Sequence, residues 1–100
     1  MLLSVVIPAY NEAEGIDFFH NKLLIPALEK IHEQYEVIYV NDGSTDKTLK
    51  LLGHIAKKNT HVKVVNLSKN FGKEIATSAG LSIASGNATI IMDADGQHPP

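Results

Sequence analysis

YEVIYVNDGSTD, residues 35–46, holds the pattern on which the fold turns. An apolar run built on Val, Ile and Tyr stops at Asn41 and gives way to Asp, Gly, Ser and Thr. A strand with one face in water alternates apolar and polar residues, whereas a near-continuous run suits a strand buried on both faces of a parallel sheet. Three other runs share this character: LLSVVIPA (2–9), VKVVNL (62–67) and ATIIMD (88–93). Between them the spacing turns helical. Ile16, Phe19, Leu23, Ala27, Leu28 and Ile31 form one stripe, Thr48, Leu51, Leu52 and Ile55 a second, and Ile75, Ala79 and Ile83 a third. Pro26 inside the first stripe predicts a kink or a break into two helices. Ser44 or Thr45 is expected to cap the second helix, and Gly86 to stop the third.

Strand and helix thus alternate as βαβαβαβ, which predicts an α/β fold: a Rossmann-like, mostly parallel sheet with helices on both faces and right-handed crossovers. All strands then point one way, and the loops fall into two sets. Those at the strand amino ends, HEQYE, KKNTH and SGNA, read as ordinary solvated turns. Those at the carboxyl ends, PAYNEAEG, NDGSTD, LSKNFGKE and DADGQHPP, concentrate Asp, Asn, Gly, Ser and Lys. Open α/β sheets bind ligands beyond their strand carboxyl ends, where strand order reverses. This asymmetry predicts a binding domain.

Composition narrows the ligand. One hundred residues, 44% of them apolar, suffice for one core but for little more. A net charge of −2 and a pI near 6.2 argue against a nucleic-acid binder with a basic face. With no Cys, disulfides and thiolate zinc sites are excluded. No apolar run is long enough to cross a bilayer, and LLSVVIPA lacks a basic leader. The chain is expected to be cytoplasmic and not membrane-spanning, with membrane attachment of a longer parent left open.

Each polar loop has a plain reading beside a functional one. Asp93 and Asp95 at a strand end could hold a hard cation, Mg²⁺ or Mn²⁺, with Gln97 as a further oxygen ligand and His98 as a nitrogen one; a simple turn would look similar. Asp42 could accept hydrogen bonds from a base or ribose, while Gly43, Ser44 and Asp46 are explained by a turn and a helix start. Tyr10 of PAYNE could lie flat on a planar ring, with Asn11 and Glu12 turning the chain. In KNFGKE a helix N-terminus and Lys73 favour an anion, or the lysines are only solvated. There is neither a GxxxxGK[ST] loop nor a GxGxxG. His20, His32, His54 and His61 lack metal-ligand spacing, and the sequons at Asn66 and Asn87 are discounted for want of any sign of secretion.

Taken in order, SVVIPAYNE, VIYVNDGSTDKT, NFGKEIATSAGLSIASG and IIMDADGQHPP resemble the family 2 glycosyltransferases of the GT-A fold, in particular their polyprenyl-phosphate branch. That branch includes dolichol-phosphate mannosyltransferases and bactoprenol glucosyltransferases. The resemblance implies a nucleotide-sugar donor, a UDP-sugar first and GDP-mannose next. Pro8, Ala9, Tyr10, Glu12 and Asp42 would line the base and ribose pocket, with Lys73 near the phosphates. Asp93, Ala94 and Asp95 match the DxD motif, so Asp93 and Asp95, with Gln97, would hold Mg²⁺ or Mn²⁺ against the diphosphate. The acceptor would be a polyprenyl phosphate, attacking with inversion. Family members are longer than this chain, so it is expected to be the donor-binding, N-terminal part, with the catalytic base beyond residue 100. The family strand order, 3-2-1-4, would put the first two helices on one face and the third on the other, and would leave ATIIMD as an edge prone to self-association. Two other readings compete. IIMDADGQ also resembles the opening motif of haloacid-dehalogenase-type phosphatases, but with Gln97 in place of Thr or Ser. A non-catalytic nucleotide-sugar-binding module is the third reading.

Overall fold

The computed structural model describes residues 1–94. Asp95 and Gln97, two of the expected metal ligands, lie outside the described residues. Four parallel strands, β1 (Leu2–Ala9), β2 (Gln34–Asp42), β3 (Val62–Leu67) and β4 (Ala88–Ile91), pair in the order β3-β2-β1-β4. The chain moves outwards from β1 to β2 to β3, then crosses back over the sheet to β4. With right-handed crossovers, that reversal puts the last helix on the opposite face from the earlier ones and opens a crevice between β1 and β4.

The segment after β1 is one helical run with three parts: α1 (Ile16–Phe18), a π-helical stretch (Phe19–Leu24) and α2 (Ile25–Ile31). The expected kink at Pro26 takes this form. Proline has no N–H for a carbonyl four residues back, and its ring crowds that carbonyl. The turn ahead of it widens, and Ile25 N–H donates to His20 O five residues back. A widened turn shifts the phase of everything after it. Leu24 and Leu28 are therefore buried, whereas Leu23, Ala27 and Ile31, expected in the core stripe, are exposed.

On this face Ile16, Phe19, Leu24 and Leu28 join Leu52 and Ile55 of α3 (Thr48–Lys58) against Val5, Ile7, Val37 and Tyr39 of the sheet. Buried beneath the π-helical stretch, His20 Nδ1 pairs with the Tyr39 hydroxyl at 2.8 Å. Burial lowers the His20 pKa against the opposing pull of Asp17, and it raises that of Tyr39, so the pair is uncharged near neutrality.

Among the described residues the other face carries only α4 (Lys73–Ile83), whose Ala76 packs on Val6, Ile38 and Val40. A Cβ on Gly80 would lie 2.5 Å from Val6 Cγ1. The helix thus meets the sheet through its small residues and sits close. Ile75 and Ile83, expected to face the core, are displaced to the flanks and stay exposed. β4 is uncovered, with Ile90 and Ile91 at 41% and 48% exposure, in keeping with the edge expected there.

A buried carboxylate fastens the amino edge of the sheet. Glu36 Oε2 accepts from Ser4 Oγ (2.5 Å) and from Ser85 N–H (2.7 Å), and Oε1 pairs with Lys63 Nζ (3.0 Å). Gly86 N–H donates to Ser4 Oγ at 2.8 Å. Gly86 was expected to end α4, but the helix stops at Ile83 and Ala84 is its extended C-cap. What requires glycine is the approach to β1: a Cβ would lie 2.5 Å from Ser4 Oγ and 2.8 Å from Leu2 O.

Burial alone would raise the Glu36 pKa, but its hydrogen-bond donors outweigh burial and hold it down from 4.5 to about 2. A carboxylate depressed on folding contributes its full stability above the unfolded value and loses it as pH falls towards the folded one. Urea unfolding should therefore show stability dropping between pH 4.5 and 2, by up to about 3 kcal/mol from this group. In Glu36→Gln that part of the acid slope should vanish, and an unchanged slope would refute the assignment.

Candidate functional site: a donor-type cleft at the strand carboxyl ends

The loops after β1 and β2 are sewn to each other. Asn11, in the left-handed region at φ 51°, donates its N–H to Ser44 Oγ (3.0 Å), and its side-chain carbonyl accepts from Thr45 N–H (2.8 Å). Glu12 N–H donates to Thr48 Oγ1 (2.9 Å) and Ala13 N–H to Asp46 Oδ2 (3.2 Å). Ser44 and Thr45, expected to cap α3, are spent on this seam. The N-cap of α3 is Lys47, which makes no side-chain cap bond; Asp46, one residue earlier, accepts from Thr48 N–H at 2.9 Å and from its hydroxyl. Burial would raise the Asp46 pKa, but these donors lower it on balance.

The loops after β2 and β3 are joined by Asp42, which is 3% exposed. Its Oδ1 accepts from Phe71 N–H (2.8 Å) and its Oδ2 from Gly72 N–H (3.1 Å). The anion anticipated at the α4 N-terminus is therefore, at these two N–H groups, the protein's own carboxylate. Each Asp42 oxygen keeps a lone pair for a further donor. Gly43 makes the junction possible. It sits at φ 66°, and a Cβ there would lie 2.2 Å from Asn70 N and from Lys69 C. Gly72 adopts φ 100° and turns the chain into α4.

These loops wall a cleft of about 270 Å³ at the β1/β4 crevice. Pro8, Ala9, Tyr10, Glu12, Asp42, Lys73, Asp93 and Ala94 all line it. Every expected nucleotide-site residue within the described range is thus brought together, and only Asp95 falls outside that range. Asn70 and Gly72 also line the cleft and were not singled out from KNFGKE. The Gly was the available signal, since a glycine at a strand–helix loop marks close backbone approach. Across the mouth, Lys73 Nζ and Asp93 Oδ1 form an ion pair at 2.5 Å. A larger cavity of about 370 Å³ lies between the first helical run and α3, lined by Asp17, His20, His54 and Lys58 among others. Its walls are helix residues and Asn59, and none of the four polar loops at the strand carboxyl ends contributes to it. The chemistry therefore concentrates at the β1/β4 cleft.

Among the described residues no group of three His, Asp or Glu side chains is placed to hold a metal ion. That excludes an all-protein cage there, but not a Mg²⁺- or Mn²⁺-type ion shared with a ligand's phosphates, which needs only one or two protein carboxylates. Asp93 supplies the right oxygen chemistry and already engages a cation, the Lys73 ammonium. Also among the described residues, no helix is long and apolar enough to cross a membrane.

Comparison with known proteins places this geometry. The model of glycosyl transferase family 2 matches residues 4–100, and the chain belongs to that family. It is 53% identical over 98 residues to an uncharacterized glycosyltransferase, sll0501, of Synechocystis, covering 98% of this chain and 30% of that protein. It is 38% identical to the undecaprenyl-phosphate 4-deoxy-4-formamido-L-arabinose transferase of Proteus mirabilis, covering 98% of this chain and 30% of that protein. Among solved structures, S. aureus TarS 1-349 in complex with UDP-GlcNAc superposes with a TM-score of 0.78 at 30% identity, over 95% of this chain and 27% of that one. The mannosyltransferase PcManGT of Pyrobaculum calidifontis, in complex with GDP-Man and Mn²⁺, gives 0.73 at 30% identity, over 93% and 27%. The fold is that of the GT-A glycosyltransferases, and the phosphatase alternative for IIMDADGQ is displaced. The chain spans about 30% of the length of these curated relatives.

Asp42→Ala would leave the part-buried Phe71 and Gly72 N–H groups without their charged acceptor, a loss of about 1–3 kcal/mol. Urea denaturation should show the midpoint falling accordingly with the slope unchanged. A midpoint within about 0.5 kcal/mol of the parent would mean the two loops do not depend on this carboxylate.

Proposed function

We propose that this chain forms the donor-binding part of an inverting glycosyltransferase that moves a sugar from a nucleoside diphosphate to a polyprenyl phosphate. The observation that carries the reading is the convergence of Pro8, Ala9, Tyr10, Glu12, Asp42, Lys73, Asp93 and Ala94 on one cleft at the switch point of the sheet. Relatives and structural neighbours support the chemistry: one is named for an undecaprenyl-phosphate acceptor, and two carry UDP-GlcNAc or GDP-Man with Mn²⁺. UDP is the favoured donor nucleotide, from the NFGKE form of the third loop, with GDP second.

Each residue then has a task. Tyr10, half exposed at the rim, offers an aromatic face to the base. Pro8 and Ala9 shape the floor, and the second lone pairs of Asp42 accept from base or ribose. Asp93 and Asp95, with Gln97, would hold Mg²⁺ or Mn²⁺, and Lys73 would add positive charge for the phosphates. When bound, the metal stabilises the charge that grows on the departing diphosphate. Little covalent work falls to the protein, whose part is to place donor and charge. The alternative of a binding module without turnover shares every one of these contacts and differs only in the acceptor side.

Calorimetric titration of UDP and GDP, with and without Mn²⁺, tests the reading. Binding strengthened by Mn²⁺ is expected. Asp95→Ala should abolish the metal dependence and leave the metal-free affinity alone. Tyr10→Ala should weaken both by about tenfold, the scale of one lost base–aromatic stack. No metal-dependent binding at millimolar nucleotide would refute the proposal.

A further inference from the structure

Lys73 and Asp93 meet across the cleft from opposite walls: Lys73 opens α4, and Asp93 follows β4. Their separation is 2.5 Å, and both side chains are more than half exposed, at 61% and 53%. Both line the same cleft as the expected nucleotide residues. The pair is therefore solvated, reversible and placed where a ligand enters. Exposed pairs of this kind are worth only about 0.2–1 kcal/mol.

Under the proposed function, on which this inference rests, Asp93 turns its oxygens to a divalent cation. Held on one carboxylate, the ammonium and the metal would be close neighbours whichever of its oxygens each took. A monovalent and a divalent charge about 4 Å apart repel by about 2 kcal/mol even in bulk water, and by more at a protein surface. The repulsion exceeds the worth of the ion pair, so the two cations exclude each other.

We infer that Lys73 is the resident counter-ion of Asp93 and is exchanged for the divalent metal when the nucleotide arrives, its ammonium passing from the carboxylate to the diphosphate. Before the nucleotide binds, Lys73 holds the place of the metal and weakens metal binding. Afterwards the phosphates give Lys73 a new anionic partner and give the metal further oxygen ligands. Metal and nucleotide then enter as a coupled pair, with part of their coupling carried by one side chain. Lys73 is thus a positioning residue whose effect has opposite sign on metal alone and on metal with nucleotide. A residue that only contacts phosphate would show the second effect without the first.

The test is Lys73→Gln, with Lys69→Gln as the control. Lys69 lies in the loop ahead of α4, but its ammonium lies over the Phe71 ring, 5.2 Å from the centroid, and it does not line the cleft. Mn²⁺ binding without nucleotide is followed by electron paramagnetic resonance of the free ion, and UDP binding at saturating Mn²⁺ by calorimetry. Lys73→Gln should bind Mn²⁺ alone more tightly, by up to about fivefold, the upper end of what a surface ion pair converts to. The same variant should bind UDP with Mn²⁺ more weakly than the parent, while Lys69→Gln matches the parent in both. If Lys73→Gln leaves the affinity for Mn²⁺ alone unchanged, or if Lys69→Gln raises it equally, the exchange is wrong, although the donor site stands. If the parent chain itself shows no Mn²⁺-dependent UDP binding, the donor-site reading falls and takes the exchange with it.

Discussion

Val5, Val6 and Ile7 of β1 are all fully buried, and consecutive strand residues point to opposite faces. β1 therefore needs cover on both sides and a hydrogen-bonded neighbour on each edge. Those demands set the layout of the sheet and its helices. β2 pairs with one edge and β4 with the other, the helices after β1 and β2 cover one face, and α4 covers the second. To reach the second face the chain must reverse direction after β3. The reversal splits the loops above β1 and β4, and the cleft lies in that split.

The two ends of the sheet are held by different means. At the amino edge a single buried carboxylate, Glu36, ties β1, β2, β3 and the turn before β4 together. At the carboxyl edge the ties run between loops, through Asn11, Asp46 and Asp42, and they leave side chains of Tyr10, Lys73 and Asp93 facing the cleft. Several backbone N–H groups there are satisfied by short polar side chains. The division accounts for the density of Asn, Asp, Ser and Thr in these loops without assigning each of them a chemical task.

The strands were legible in the sequence because β-branched runs without alternation have few other uses, but burial on both faces holds only for the central β1 and β2: β3 is mostly half-buried or exposed and β4 is exposed throughout, because these two are the edges of the sheet. The cleft was legible for a related reason: once the strands are parallel, every loop after a strand reaches the same edge, so Tyr10, Asp42, Lys73 and Asp93 had to gather. Local detail was less so. The core phase of the first helical run slipped because Pro26 widens the turn before it, and a simple 3.6-residue period cannot show that. In α4 the period pointed to Ile75, Ala79 and Ile83, but close approach through Ala76 and Gly80 prevailed over burying the larger side chains. Ser44 and Thr45 resembled caps, and their partner is Asn11, on another loop; no local window reveals such a pairing. Asp42 likewise finds its donors in Phe71 and Gly72, across the β2–β3 pair.

The seams between the loops bear on how tightly anything can be held. Loops that order only around a ligand spend binding energy on their own conformational entropy. Here Asn11, Asp42 and Gly43 have already fixed the three loops against one another through backbone N–H groups that donate to the Asn11 and Asp42 side chains, and through a contact too close for a Cβ. A ligand entering this cleft meets these three loops already in place. Its affinity then follows from the contacts it makes and the solvent it displaces, and its arrival is limited by diffusion and orientation more than by waiting for the protein to fold around it.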